Sequence, residues 1–186
     1  MQTIYNFDFA VLNALQSIHN TFFNYFFAFF TFLGDGGIIW IVLTLVMLFI
    51  KKTRRAGITM SAGLITEFVI NECFVKNLVK RPRPFTLHPY IDTIVSQPSS
   101  YSFPSGHTCT AFVSATVIFC YNKKLGVIAY ITAALIGISR NYFYIHYPTD
   151  VLVGAVEGIL TGLLAVLVVK VFCDQTDKKN TTEEKD

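Results

Sequence analysis

The sequence predicts an all-α fold, a polytopic membrane helix bundle with six transmembrane helices and a possible N-terminal interfacial helix. Apolar residue types make up 53% of the 186 residues, and the mean hydropathy is +0.50. This is too apolar for a soluble domain of that length. Charged residues are few within the apolar stretches and concentrate in short runs between them. Loops that connect membrane helices have this composition.

Six apolar segments are predicted to cross the membrane, because roughly 20 helical residues span a hydrocarbon core about 30 Å thick. Before them, residues 7–17 mix apolar side chains with Asp8, Asn13 and Gln16, and we expect this segment to lie along the membrane interface. The first span is aromatic-rich and ends at residue 33, where Gly34-Asp35-Gly36-Gly37 interrupts it. The other spans are residues 38–50, 56–75, 111–121, 125–138 with a continuation toward 144, and 151–172.

The basic loops predict the orientation of the bundle. Basic runs at residues 51–55, 123–124 and 178–179 follow the second, fourth and sixth spans, so parity places them on one face. The positive-inside rule makes that face cytoplasmic. The N-terminus would share it. Residues 76–104 and the junction of the last two spans would then lie at the outer face.

Composition also limits the domain organisation and the partners. We expect residues 1–173 to form one integral membrane domain and the charged residues 174–186 to form a disordered cytoplasmic tail, because the tail has nothing to bury. The net charge of +3 is small and the basic residues are dispersed, so no nucleic-acid partner is expected. The four cysteines lack CxxC spacing and no carboxylate cluster is present, so neither a metal nor another cofactor is predicted.

Three short polar motifs stand where apolar segments end. The first, Pro104-Ser105-Gly106-His107, directly precedes an apolar run and is predicted to begin a helix. The unpaired N–H groups and positive dipole of a helix start, together with the Ser105 hydroxyl, can hold a phosphate oxygen. The motif alone is also compatible with a structural role, in which Ser105 caps the helix and His107 occupies its first turn.

The second motif extends from Ser139-Arg140 to His146 and Asp150. Arg140 supplies a planar fork of donors for phosphate oxygens, and His146 supplies a nucleophilic imidazole. Asp150 can accept the proton of one ring nitrogen and leave the other free to attack phosphorus. Pro148 disfavours a continuous helix through His146, so the pair is predicted to flank the turn into the last span. Alone, the motif also fits an interfacial Tyr/His belt with an N-capping aspartate.

The third motif is basic and follows the third span. Lys76 and Arg83 are separated by six residues, and the two prolines of this segment are expected to end the helix. Alone, these cations could equally extend to lipid headgroups. Arg81 offers a competing register, but the same distance before it reaches a phenylalanine where Lys76 should be, so Arg83 is assigned. Glu72 lies one helical turn before Lys76 and can pair with it.

Together, the three motifs resemble those of the type-2 phosphatidic acid phosphatase superfamily of lipid phosphate phosphatases. The patterns are Lys, six residues, Arg-Pro; then Pro-Ser-Gly-His; then Ser-Arg, five residues, His, three residues, Asp. They cover residues 76–150, and their order and spacing match throughout. Asn141 is a departure, because relatives frequently have a small apolar residue there. It concerns local packing more than catalysis.

The resemblance implies roles for individual residues. His146 would attack phosphorus to give a phosphohistidine, Asp150 would orient it, and His107 would protonate the leaving oxygen, without a metal ion. The implied phosphate-binding residues are Lys76, Arg83, Ser105, Gly106 and Arg140. Outside the motifs, Glu67 and Glu157 lie deeper in apolar spans, where we expect structural hydrogen bonds in preference to a proton or substrate role.

The function predicted is hydrolysis of the terminal phosphate of a lipid phosphate or pyrophosphate at the outer face of a bacterial cytoplasmic membrane. Undecaprenyl pyrophosphate is favoured as substrate. Phosphatidylglycerol phosphate, or a broad range that includes phosphatidic acid, is the alternative. Six apolar spans argue against the branches of the superfamily that act on soluble phosphomonoesters or use vanadate. A non-catalytic phospholipid-binding or transport protein is a further alternative, although it would need neither nucleophile nor acid. The sequence gives no signal for oligomeric state.

Overall fold

The protein folds as a bundle of helices. The computed structural model describes residues 2–88 and 95–183, and within these ranges all regular structure is helical, which confirms the predicted all-α class. The α-helices are α1 (Gln2–Ser17), α2 (Thr21–Gly34), α3 (Ile38–Phe49), α4 (Arg54–Phe68), α5 (Lys76–Val79), α6 (Pro84–Leu87), α7 (Gly106–Tyr121), α8 (Lys123–Tyr142) and α9 (Pro148–Glu183). Two other segments complete the described helices, a 3₁₀ turn at Asp35–Gly37 and a π-helix at Val69–Val75.

Helix α1 lies across one end of the bundle, which we call the site end and define by the α8–α9 loop, residues 143–147. At the middle of α1, the ring of Phe9 packs edge-on against Tyr147 with centroids 5.6 Å apart. Near its end, the Gln16 amide donates to the Tyr142 carbonyl oxygen at 3.2 Å. Contacts along its length hold α1 across the site end, as expected for an interfacial helix.

Helices α2 and α3 make one crossing of the bundle, although the sequence predicts two. At the site end, the Tyr142 hydroxyl donates to Asn24 Oδ1 of α2 at 2.6 Å. At the opposite end, α3 approaches α4 so closely that a Cβ on Gly57 would lie 2.8 Å from the α3 backbone. Between them, Gly36 and Gly37 have φ angles of 59° and 64°, a left-handed backbone that glycine adopts readily. The predicted break exists, but it does not reverse the chain.

The described residues therefore cross the bundle five times, and the predicted count of six is not confirmed. Four stretches are long and apolar enough to span a membrane, namely Thr21–Phe49, Arg54–Leu87, Lys123–Tyr142 and Pro148–Cys173. The remaining crossing is α7, which has 16 residues. One crossing separates α1 from the basic loop at residues 51–55, so α1 lies at the end opposite that loop. The prediction that the N-terminus shares a face with that loop is therefore not confirmed.

The basic turns lie together at the end away from the site, as predicted. The Thr59 hydroxyl, in the first half of α4, lies 2.8 Å from the Tyr121 hydroxyl at the end of α7. This contact places the turn before α4 beside the turn between α7 and α8. Both turns carry lysine or arginine. One end of the bundle is thus basic, and all three motifs lie at the other.

The second crossing ends where its prolines require. α4 continues through the π-helix into α5, and helix stops at Val79. Lys80 has a φ of 51°, and Pro82 and Pro84 lack the N–H groups that would continue the helix. Pro84 instead begins the short α6, a position that suits its fixed φ. The chain bends sharply here, so that residues from both sides of the stop can reach one cavity.

Helix α7 is central and packs against α4, α8 and α9. A Cβ on Gly158 of α9 would lie 2.5 Å from the Cys109 carbonyl oxygen of α7. Small residues at four-residue spacing let helix backbones approach this closely, and α9 has three such glycines, Gly154, Gly158 and Gly162. The close packing of α7 and α9 extends to the starts of both helices, where the Ser105 N–H donates to the Asp150 carbonyl oxygen at 3.2 Å.

Large apolar side chains cover the outside of the bundle, as membrane contact requires. Phe32 and Phe49 are 77% and 82% exposed. At the far end, α9 continues to Glu183, past the apolar stretch that ends at Cys173, where the sequence predicts a disordered tail from residue 174. Residues 184–186 lie outside the described residues, and the domain division at residue 173 stays a prediction.

Candidate active site

The three motifs meet at a cavity at the site end. It has a volume of about 250 Å³ and lies where the second crossing stops, α7 begins and α8 ends. Six of the eight predicted site residues line it, namely Lys76, Arg83, Gly106, His107, Arg140 and His146. The other two, Ser105 and Asp150, are fully buried and stand behind its wall.

Three buried cations concentrate positive charge on this cavity. Lys76, Arg83 and Arg140 are 6%, 4% and 2% exposed. Lys76 Nζ forms the predicted ion pair with Glu72. Arg140 donates to the Thr31 hydroxyl at 2.6 Å, whereas its Nε has no partner among the described residues. An unpaired buried donor is costly. A phosphate oxygen bound in the cavity would supply the missing acceptor.

Arg83 is held by the segment before α7 and by the α8–α9 loop. Its Nε donates to the Ser100 carbonyl oxygen at 2.7 Å, and Nη2 donates to the Ser100 hydroxyl and the Tyr101 carbonyl oxygen at 3.0 and 3.2 Å. Nη1 lies 3.2 Å from the Ile145 carbonyl oxygen and 3.1 Å from His146 Nε2. A guanidinium can only donate, so the lone pair of His146 Nε2 is the acceptor.

This contact fixes the tautomer of His146. Because Nε2 accepts from Arg83, the proton of the neutral ring is on Nδ1, which faces Asp150 Oδ2 at 3.6 Å and has no other partner in the described structure. Burial lowers the pKa of His146 to about 3, so the ring is neutral near pH 7. The pair flanks the turn into α9, as the sequence predicts. A lone pair is therefore directed at the cavity, with a carboxylate behind the ring.

Asp150 is held by several donors besides His146. Arg81 Nη1 donates to Oδ1 at 2.5 Å, and the Ser102 hydroxyl and Tyr147 N–H donate to Oδ2 at 2.5 and 3.0 Å. Arg81 does not line the cavity, which agrees with the assignment of Arg83 to the anion. The sequence analysis nevertheless missed that Arg81 binds this carboxylate. The alternation of arginine and proline gave no signal for this difference, because residues two apart in an extended chain point to the same side.

His107 also has a carboxylate partner. Its Nε2 lies 3.0 Å from Asp35 Oδ1, and Arg140 Nη1 lies 3.9 Å from the same oxygen. A carboxylate at this distance stabilises the protonated imidazole, which is the form that a proton donor needs. The sequence analysis gave Asp35 no role. The available signal was a single carboxylate between glycines inside an apolar region, where ionisable residues usually have a function.

Gly106 and Ser105 occupy the start of α7 but differ in their relation to the cavity. A Cβ on Gly106 would lie 2.8 Å from Glu72 Oε1 and 3.5 Å from Lys76 Nζ, so a larger residue here would displace the ion pair of Glu72 and Lys76. Ser105 stands at the N-cap, yet its hydroxyl makes no capping bond and lies 2.9 Å from the Thr108 hydroxyl. Simple capping is therefore not its role here. Phosphate binding by Ser105 stays a prediction.

The polar groups of the cavity favour an anion. Lys76, Arg83 and Arg140 line it against two carboxylates, those of Glu67 and Glu72. No group of three or more His, Cys, Asp or Glu within residues 2–88 and 95–183 is arranged to hold a metal ion. At the floor of the cavity, the Thr110 hydroxyl donates to Glu67 Oε2 at 3.1 Å, which is the structural hydrogen bond that the sequence predicts for this residue.

Comparison with known proteins agrees with the motifs. The profile of the PAP2 superfamily matches residues 51–172, about two thirds of the chain. The chain belongs to the PAP2 superfamily. This confirms the resemblance drawn from the three motifs. The lipid phosphatases of the superfamily are hydrolases that act on phosphate esters or pyrophosphate.

Its relatives are membrane enzymes of related activity. The undecaprenyl-diphosphatase of Sulfolobus acidocaldarius is 30% identical over 131 residues, 70% of this chain and 63% of that protein. The undecaprenyl-diphosphatase BcrC of Bacillus subtilis is 35% identical over 114 residues, 61% of this chain and 56% of that protein. The crystal structure of a PAP2-type phosphatidylglycerolphosphate phosphatase from Bacillus subtilis aligns with a TM-score of 0.74 at 30% identity, covering 94% of this chain and 88% of that one. The chain spans less than two thirds of the length of these two diphosphatases.

Proposed function

We propose that this PAP2-superfamily protein hydrolyses the terminal phosphate of a lipid phosphate or pyrophosphate through a phosphohistidine intermediate. The orientation of His146 carries the proposal. Its Nε2 lone pair faces Arg83 in the cationic cavity, while Nδ1 faces Asp150. A protein that only binds phospholipid needs the cations, but it needs neither an oriented imidazole nor a second histidine paired with a carboxylate.

In the first step, the cations and the N–H groups at the start of α7 hold the phosphate oxygens. His146 Nε2 attacks phosphorus, and the bond between phosphorus and the leaving oxygen breaks. His107, protonated beside Asp35, gives its proton to that oxygen. Asp150 stabilises the positive charge that develops on His146, as the carboxylate does in other oriented histidines.

In the second step, water attacks the phosphorus of the phosphohistidine. His107, now neutral, accepts a proton from this water, the bond between phosphorus and Nε2 breaks, and His146 becomes neutral again. Inorganic phosphate leaves and His107 is protonated for the next cycle. The negative charge that builds on the phosphoryl oxygens is met by Lys76, Arg83 and Arg140 in both steps. Neither step uses a metal ion.

A lipid substrate is supported by a second cavity beside the first. It has a volume of about 380 Å³ and is lined mainly by apolar residues of α3 and α4, including Ile41, Leu45 and Ile65. Gly36, Gly37, Glu67, Phe68 and Thr110 line both cavities. An acyl or prenyl chain could therefore occupy the apolar cavity while its phosphate occupies the cationic one. We propose undecaprenyl pyrophosphate as the substrate, with phosphatidylglycerol phosphate or a broad lipid range as the alternative.

The activity is tested with protein reconstituted in lipid and assayed with EDTA present. We expect release of inorganic phosphate from undecaprenyl pyrophosphate, and competition by phosphatidylglycerol phosphate and phosphatidic acid ranks the three lipids. His146→Gln should abolish turnover, and His19→Gln, a histidine outside the cavity, should retain it. Labelled substrate should leave an acid-labile phosphoenzyme on the wild type alone. Absence of turnover on all three lipids, or activity of His146→Gln within tenfold of the wild type, would refute the proposal.

We also propose that the site end faces the outside of a bacterial cytoplasmic membrane and the basic turns face the cytoplasm. The odd number of crossings then places α1 outside and α9 with its far end inside. In a cysteine-free background, Ser96→Cys and Thr3→Cys should react with an impermeant reagent on intact cells, whereas Lys52→Cys should react only after permeabilisation. Labelling of Lys52→Cys on intact cells would invert the orientation.

A further inference from the structure

Asp8 is the one carboxylate of α1, and it is completely buried at the site end. Its neighbours on the outward face, Ile4 and Phe7, are 53% and 52% exposed. An ionised carboxylate is buried only where it is paired and hydrogen-bonded. The position of Asp8 on an otherwise amphipathic helix therefore needs a partner, and α9 and the segment before α6 supply it.

Every contact of Asp8 leads to the catalytic carboxylate. Oδ1 accepts from the Thr149 N–H at 3.0 Å, and Oδ2 accepts from the Thr149 hydroxyl at 2.8 Å and from Arg81 Nη2 at 2.6 Å. Thr149 immediately precedes Asp150 in the first turn of α9. Asp8 thus holds both the residue next to Asp150 and the arginine that binds it.

Arg81 stands between the two carboxylates and has little freedom to move. Its Nη2 donates to Asp8, while its Nη1 donates to Asp150 Oδ1 at 2.5 Å and to the Thr149 hydroxyl at 2.8 Å. The face of the guanidinium lies 3.8 Å from the centroid of the Tyr147 ring, an arrangement that stabilises a cation. Separate nitrogens serve separate carboxylates, so the planar group fixes the distance between them.

This arrangement determines how much negative charge Asp150 presents to His146. With Asp8 present, the cation of Arg81 is shared by two carboxylates and the three groups carry a net charge of −1. Without the charge of Asp8, Arg81 would neutralise Asp150 alone, and the carboxylate would stabilise a positive His146 less well. Arg81 also occupies Oδ1, which leaves Oδ2 as the oxygen that faces His146 Nδ1.

We propose that Asp8 is a positioning residue of the reaction, which acts through Arg81 on Asp150 and so on His146, and that docking of α1 completes the catalytic site. The inference rests on the proposed phosphatase function. Asp8 touches neither the cavity nor the phosphate, so its loss should impair the chemical step and leave phosphate binding nearly unchanged.

Steady-state kinetics of Asp8→Asn test the inference in the reconstituted enzyme. Asparagine keeps the size and one acceptor but removes the charge. We expect kcat to fall about tenfold to a hundredfold, the range seen for groups that orient catalytic histidines in metal sites, with KM within threefold of the wild type. Leu12→Ala is the matched control, because Leu12 packs on Tyr144 and Tyr147 from the same face of α1 without a charge. It should lower thermal stability and retain kcat in the folded enzyme. A kcat of Asp8→Asn within threefold of the wild type, or a loss confined to KM, would overturn the inference.

Two further measurements separate this inference from the function on which it rests. In the Asp150→Asn background, Asp8→Asn should cause no further loss of kcat, because the effects of residues that act through one another are not additive. Losses of kcat that multiply in the double variant would contradict the inference. Independently of substrate, nitrogen NMR of histidine-labelled protein should show a changed His146 Nδ1 signal in Asp8→Asn but not in Leu12→Ala. An unchanged signal in Asp8→Asn would refute the proposal that Asp8 acts on His146 through Arg81 and Asp150. Failure of the wild type to hydrolyse any lipid phosphate would instead refute the function, and the NMR result would still decide the role of Asp8.

Discussion

Replacing Arg83 with lysine keeps the positive charge of the cavity and removes the planar fork of donors. The substitution therefore separates two roles of this residue, attraction of an anion and orientation of the site. Arg83 makes five contacts through three nitrogens, with Ser100 and Tyr101 on one side and Ile145 and His146 on the other. A lysine ammonium is a single point and cannot reach both sides at once.

The expected losses in stability and in kcat follow from the acceptor groups that lysine leaves without a donor. If the ammonium stays near Ser100, the carbonyl oxygen of the fully buried Ile145 loses its donor, at a cost of about 1–3 kcal/mol in the free energy of unfolding. His146 Nε2 loses the donor that fixes its tautomer, and the phosphate loses one preorganised donor. Loss of one such donor lowers kcat by about 10²–10³-fold. We therefore expect Arg83→Lys to fold with reduced stability and to lose at least about a hundredfold in kcat.

Phosphate release from the preferred lipid measures kcat, and thermal unfolding in detergent measures stability. Arg54→Lys is the matched control, because Arg54 lies at the opposite end of the bundle and donates to the Leu48 carbonyl oxygen, far from the cavity. That variant should resemble the wild type in both measurements. Activity of Arg83→Lys within tenfold of the wild type would mean that charge alone matters, and the assignment of the His146 tautomer through Arg83 would then be wrong.

Three other changes have defined outcomes. Because burial lowers the pKa of His146 to about 3, the nucleophile stays neutral as the pH falls through the usual histidine pKa. We therefore expect kcat at saturating substrate to stay constant from pH 7 to about 5.5. A loss of kcat centred near pH 6.5 would contradict this. Asp35→Asn should lower kcat for a lipid phosphate by at least about tenfold. It should leave kcat for p-nitrophenyl phosphate unchanged, because the leaving oxygen of that substrate needs no proton from His107. Equal losses of kcat on both substrates would argue against proton donation by His107. Gly158→Val should lower the free energy of unfolding by about 1–3 kcal/mol through overpacking, because its Cβ would lie 2.5 Å from the α7 backbone. Thermal unfolding in detergent, followed by calorimetry or fluorescence, measures this loss. An unchanged melting temperature would contradict the close packing of α9 on α7.

Most of the candidate site could be predicted because its chemistry is encoded in short local patterns. Lys76, Arg83, Arg140, His107 and His146 were placed in one site from sequence, and all five line one cavity. The residues that support them could not be found in this way. Asp8 and Asp35 reach the site from distant parts of the chain, and a single carboxylate does not indicate which residue so far away in sequence it will contact.

The overall fold shows a similar division. The proline stop after the second crossing, which the sequence analysis counts as the third span, and the turn at Pro148 are local properties, and each appears where it was predicted. The number of crossings depends instead on whether Gly34-Asp35-Gly36-Gly37 is a loop or a bend. Hydropathy cannot distinguish the two, because α2 and α3 have 14 and 12 residues, and either could be counted as a short span on its own.

The difference between the predicted six and the observed five crossings and the missed role of Asp35 have one physical cause. A loop between two spans would place Asp35 at a membrane surface, where a carboxylate is solvated and needs no explanation. A bend within one crossing places it at the level where α7 begins and brings its carboxylate within 3.0 Å of His107, with 52% of the Asp35 side chain still exposed. Gly36 and Gly37 make this possible because their left-handed backbone turns the chain without ending the crossing. The same glycines that made the number of crossings hard to predict therefore place the Asp35 carboxylate beside His107. We infer that the bend serves to pair Asp35 with the proposed proton donor, and not to reverse the chain.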